Sequence, residues 1–126
     1  MKPVLIDTSV WRRFFAGSSA HRTLSDLLQE DDVVVVHPFV IGELVMGGLS
    51  EREKELFERL PALPPVAHQE VLRFVARRRL TRRGLGWIDA HLLASALASS
   101  ALLWSGDKVL AAAAADLAIA YQGTKD

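Results

Sequence analysis

Four of the fifteen acids in this chain have the residue type and setting for metal chemistry. Asp7 ends the apolar run Val4-Leu5-Ile6, and Asp107 follows Leu102-Leu103-Trp104 across Ser105 and Gly106. Glu43 shares a helical face with Phe39, Val40 and Met46, and Asp89 shares one with Leu92, Leu93 and Ala96. An ionised carboxylate in apolar surroundings is costly or takes up a proton. Four that meet in space need a counter-charge, and a hard divalent cation, Mg²⁺ or Mn²⁺, supplies one through oxygen ligands. Such an ion activates water as a nucleophile and stabilises charge building on a phosphoryl oxygen. Each acid taken singly also has a plainer reading. Asp7 and Asp107 suit helix N-caps, Glu43 suits a partner arginine, and Asp89 suits an exposed first turn. The other eleven acids belong to a charged surface helix (Glu51, Glu53, Glu55, Glu58), to helix faces, first turns and ends (Asp26, Glu30, Asp31, Asp32, Glu70), to the terminus (Asp126), or, for Asp116, to an expected loop.

The elements that must position the four acids alternate. Residues 3–6 predict a strand covered on both faces, since the run is wholly apolar. Residues 8–15 and about 20–30 predict helices, and the β-branched run 33–36 predicts a second strand. A buried helix is expected over 38–49, with Pro38 at its first position. A surface helix over 51–60 follows a Ser50/Glu53 capping box. Pro61, Pro64 and Pro65 leave room only for a weak edge strand near 63–67. Helices over 68–80 and 87–99, a strand over 101–104, a helix over 108–115 and a last strand over 117–121 complete the pattern. Strands alternating with helices predict an α/β fold with a parallel sheet, and sites in such sheets form at the carboxyl ends of strands. Asp7 and Asp107 lie at or just beyond two of these ends.

Composition narrows the class. A chain of 126 residues, half of them hydrophobic, predicts one globular domain over 1–126 rather than a disordered chain. Lys+Arg and Asp+Glu both number 15, so net charge by itself signals neither nucleic acid nor membrane. There is no cysteine, which excludes disulfides and thiolate metal sites and suits a reducing cytoplasm. No apolar run reaches a membrane span, and the N-terminal apolar run is too short for a signal peptide.

Asp7-Thr8-Ser9-Val10-Trp11 after a short strand, Gly42-Glu43-Leu44 in the middle, Asp89-Ala90-His91-Leu92-Leu93-Ala94-Ser95-Ala96 after an Arg/Gly-rich turn, and Ser105-Gly106-Asp107-Lys108 after a late strand together resemble the PIN-domain ribonucleases. Within that family the chain is similar to the VapC-type toxins of bacterial and archaeal toxin–antitoxin pairs, in order and over essentially its whole length. The resemblance implies a three-layer α/β/α sandwich around a mostly parallel sheet of about four to five strands. It implies Mg²⁺- or Mn²⁺-dependent endonucleolytic cleavage of RNA, neutralisation by a cognate VapB-like antitoxin, and a homodimer. It gives the acidic roles to Asp7, Glu43, Asp89 and Asp107, and supporting hydroxyl roles to Ser9 and Ser105. One departure stands out: many members carry a further acid two residues after the fourth, where this chain has Val109, which thins the later part of a metal site.

Arg77, Arg78, Arg79, Arg82 and Arg83 place five arginines in seven residues ahead of Asp89. They suit either a solvated helix end or an RNA-binding patch that tracks phosphates beside the acids; Arg12 and Arg13 add to the second reading. His21, His37, His68 and His91 show no metal-ligand spacing, and His91 is expected on a different helix face from Asp89. Trp11, Phe14 and Phe15 suit a core, or an interface groove. There is no Gly-rich phosphate loop or nucleophile elbow. A non-catalytic RNA- or partner-binding module on the same scaffold is the competing expectation. A phospho-receiver domain fails because the middle third offers no strand-end aspartate.

Overall fold

The computed structural model of the chain describes residues 1–18 and 20–122, with backbone alone at 20 and 21. Ser19, expected in the turn with Gly17 and Ser18, the side chain of His21 and the terminal Asp126 lie outside the described residues. Along the chain run β1 (Val4–Ile6), α1 (Thr8–Phe15), α2 (Ala20–Leu28), β2 (Val34–Val35), α3 (Pro38–Met46), α4 (Glu51–Glu58), α5 (His68–Arg77), α6 (Trp87–Ala98), β3 (Leu102–Trp104) and α7 (Lys108–Asp116).

The sheet is parallel, in the order β2-β1-β3. Val4 pairs with Val34 on one side and with Leu102 on the other, and Ile6 pairs with Trp104. All three residues of β1 are fully buried, as the uninterrupted apolar run requires of a central parallel strand. The expected count of four to five strands is corrected: among the described residues three strands form. The two outer positions shrink to single parallel bridges, Val36 with Ala62 and Leu103 with Ala120. Pro61, Pro64 and Pro65 lack the N–H donors that would extend the first. The second is cut short by Ala118, whose φ of 61° turns the chain immediately before it. Asp116 is also corrected, from a loop to the last residue of α7. Several helices end earlier than expected: Gly48 at φ 99° closes α3 and Arg79 at φ 55° closes α5.

Parallel crossovers are right-handed, so chain direction assigns the layers. The path from β1 through α1 and α2 to β2, and through α3 and α4 to Ala62, moves one way across the sheet. The path through α5 and α6 to β3, and through α7 to Ala120, moves back. Helices α1–α4 therefore cover one face and α5–α7 the other, giving the expected three layers. Packing agrees. Trp11 of α1 is fully buried with its ring 4.8 Å from that of Phe57 in α4, whereas Val71 of α5 packs with Ala90 and Ala94 of α6. Among the described residues no helix is long and apolar enough to cross a membrane.

Candidate active site

Because β1 and β3 are neighbours, their carboxyl ends deliver Asp7 and the Ser105–Asp107 loop to the same edge. The Asp7 N–H donates to the Trp104 carbonyl at 2.9 Å, which holds the two ends together. Asp7 is buried and stands at the N-cap of α1, yet its side chain makes no capping bond. Instead Oδ2 accepts from the Ser9 hydroxyl at 2.8 Å and from the Ser105 hydroxyl at 2.7 Å. The two serines brace the loop as well. Ser9 Oγ accepts from the Gly106 N–H, and Ser105 Oγ accepts from the Asp107 N–H, both at 2.9 Å.

Glu43 projects from α3, where its Oε1 accepts from the Thr8 hydroxyl at 2.7 Å. A hydroxyl, not an arginine, is thus its partner. Thr8 was not singled out from the sequence, although its place directly after Asp7 was a usable signal. Asp89 lies in the first turn of α6, and its Oδ2 accepts from the Gly86 N–H at 2.9 Å. Asp107 caps α7: its Oδ1 accepts from the Val109 N–H at 2.9 Å. Each of the four acids therefore commits one oxygen to an internal hydrogen bond. Among the described residues the second oxygen of each has no hydrogen-bond partner, and none of the four is in an ion pair.

The electrostatics place the four in one field. Burial pushes the Asp89 carboxyl above the ordinary carboxylate range; the Gly86 N–H pulls against it, and the charges of Asp7, Asp107 and Glu43 add to the rise. Unpaired oxygens under mutual repulsion are the donor set a hard divalent cation requires. Among the described residues no three acids or histidines stand close enough to form a ready-made cage.

His37 Nδ1 accepts from the Phe39 N–H at 3.0 Å, capping α3, a role the sequence reading missed. Burial, with the neighbouring charge of His91, lowers the His37 pKa to about 4. Burial also lowers that of His91, with His68 adding to the effect. Of the arginines, Arg77, Arg78, Arg79 and Arg82 are exposed, whereas Arg83 donates to Asp116 at 2.7 Å. Arg13 lies over the Ser105–Asp107 loop: a Cβ on Gly106 would stand 2.8 Å from its Nη1, so the glycine makes that approach possible.

The PIN-domain family model matches residues 4–116. The chain belongs to the PIN-domain family. It is 45% identical over 120 residues to "Ribonuclease VapC32" of Mycobacterium tuberculosis, in two strains, covering 93% of this chain and 94% of the relative. The VapC-type resemblance carried by the four motifs is borne out. The fold is similar to that of "Crystal Structure of PAE2754 from Pyrobaculum aerophilum", with a TM-score of 0.65 at 18% identity, covering 89% of this chain and 84% of that one.

Proposed function

We propose that this PIN domain is a VapC-type endoribonuclease toxin that depends on Mg²⁺ or Mn²⁺. Its ribonuclease class rests on the similarity to ribonuclease VapC32. The metal dependence rests on one observation: four carboxylates in a common field, each with one oxygen tied down and the other without a partner among the described residues. Asp7, Glu43, Asp89 and Asp107 would hold the ion, which supplies positive charge for the phosphoryl oxygens and activates water. The chain's own residues do the rest. Ser9, Thr8 and Ser105 fix the carboxylates that they donate to. Arg12 and Arg13, on α1 beside the acids, together with the exposed Arg77, Arg78, Arg79 and Arg82, bind RNA phosphates. Partners follow from the same reading: an RNA substrate, a VapB-like antitoxin and a second copy in a homodimer.

Calorimetry with Mn²⁺ on wild type and on Asp7→Asn tests the site without knowledge of the RNA target. Binding in wild type that disappears in the variant is expected. A folded wild type that takes up no Mn²⁺ would count against the metal site. That outcome would favour the second reading, a PIN-like module that binds RNA or a partner without cutting; among the described residues no three acids stand close enough to form a preformed cage.

A further inference from the structure

Beside Glu43 lies an open groove of ≈ 590 Å³ lined by Arg12, Phe39, Gly42, Met46 and Ile88 among others. Its aromatic lining is anchored on both sides. Phe39 is 37% exposed, and its ring is held edge-on between two imidazoles, 5.0 Å from His37 and 4.8 Å from His91. His37 is wholly buried and also caps the helix that carries Phe39, so the ring's backbone and one flank are anchored by the same residue. Phe39 and Glu43 are four residues apart on α3, which places them on one face. An apolar ring therefore opens next to a proposed metal ligand, with the Arg12 guanidinium lining the same groove. A flat apolar surface beside a cation is complementary to one nucleotide: a base has a π-face for the ring, and its phosphate has a charge for the arginine.

We propose that this groove is a nucleotide subsite, in which the base next to the scissile phosphate stacks on Phe39 while Arg12 holds that nucleotide's phosphate. The inference rests on the ribonuclease reading and adds the residues that would hold the RNA in register. Phe39 is a positioning residue and acts on the base, not on the metal.

The test is a cycle of two changes in the non-cleaving Asp7→Asn background, with folding checked by circular dichroism. Fluorescence anisotropy measures binding of a short single-stranded RNA and of an abasic ribose-phosphate oligomer of equal length. Phe39→Leu is expected to weaken the intact RNA by about 5- to 100-fold and to leave the abasic oligomer unchanged. Phe39→Tyr, which keeps the ring, should restore binding. Equal weakening of both oligomers, or of neither, overturns the subsite. If the parent protein binds neither oligomer, or binds RNA while Phe39→Leu has no base-dependent effect, the subsite falls; the ribonuclease reading falls separately, if wild type neither takes up Mn²⁺ nor cuts RNA. Sedimentation distinguishes the other occupant: a change of oligomeric mass in Phe39→Leu would make the groove a contact between copies and overturn the proposal.

Discussion

Asp7 shows at the residue scale how a buried carboxylate is held by hydroxyls instead of by its helix. An aspartate at a helix N-cap ordinarily accepts from the backbone of the first turn. Here two serine hydroxyls, one of them 98 residues away, hold Oδ2, and among the described residues Oδ1 has no partner. Asp7→Asn keeps an acceptor for both serines, so circular dichroism should show an unchanged fold while RNA cleavage drops by at least about 100-fold. A variant that cuts at the wild-type rate would remove Asp7 from the site. Asp89 gives a pH signature. Its carboxyl titrates above its unfolded value because of burial and then the nearby acids. Between the two values the folded state holds more protons, so metal-free stability falls as pH rises through that window. Asp89→Asn should therefore raise the metal-free melting temperature at neutral pH and abolish any further rise on adding Mn²⁺. His37 acts in the opposite sense. It stays neutral in the fold down to about pH 4, whereas the unfolded chain takes up the proton near 6.5, so stability present above pH 6.5 is lost on acidification toward 4. Thermal melts across that range should show the loss in wild type and a flatter profile in His37→Asn, which retains a capping oxygen.

At the scale of elements, the proposed function gives two jobs to one residue in the turn from β3 into α7. Asp107 Oδ1 caps α7, and the other oxygen, without a hydrogen-bond partner among the described residues, is the one assigned to the proposed metal. Removing the cap and removing the charge can be separated. Asp107→Ala should cost about 1 kcal/mol of stability in urea denaturation as well as cleavage. Asp107→Asn should lose cleavage with stability nearly intact. Matching stability losses in both would mean that the charge, not the cap, matters to α7. The alternation of strands and helices was legible because the apolar runs were short and bounded by acids, glycines or prolines. The outer strands were not legible, since a pattern of apolar residues around Ala62 and Ala120 does not reveal how many ladder bonds the flanking prolines and the Ala118 turn allow.

For the whole molecule, net charge is zero, so any affinity for RNA depends on where the charge sits. The 77–83 cluster divides in the fold: Arg77, Arg78, Arg79 and Arg82 face solvent and Arg83 is paired with Asp116. Removing a phosphate contact reduces the salt dependence of binding to a single strand by about 0.7 in the log–log slope. Arg78→Ala should show such a decrease and Arg83→Ala should show none, as measured by anisotropy between low and physiological salt. Equal slopes for wild type and Arg78→Ala would assign the cluster to a solvated helix end.

The sequence by itself picked out four acids set in apolar surroundings and the order of elements that carries them. An acid set in an apolar run is visible residue by residue, because burial and charge are properties of types and local pattern. The family was visible for the same reason, through four short motifs in order. Only the tertiary structure decided how the acids are held. Register between β1 and β3 brings Ser105 to Asp7, and the packing of α1 and α3 brings Thr8 to Glu43. It decided as well that Asp107 caps while Asp7 does not, and that Arg83 is spoken for. Hydrogen bonds are directional and short, so which oxygen of a carboxylate is committed depends on positions fixed by parts of the chain far apart in sequence.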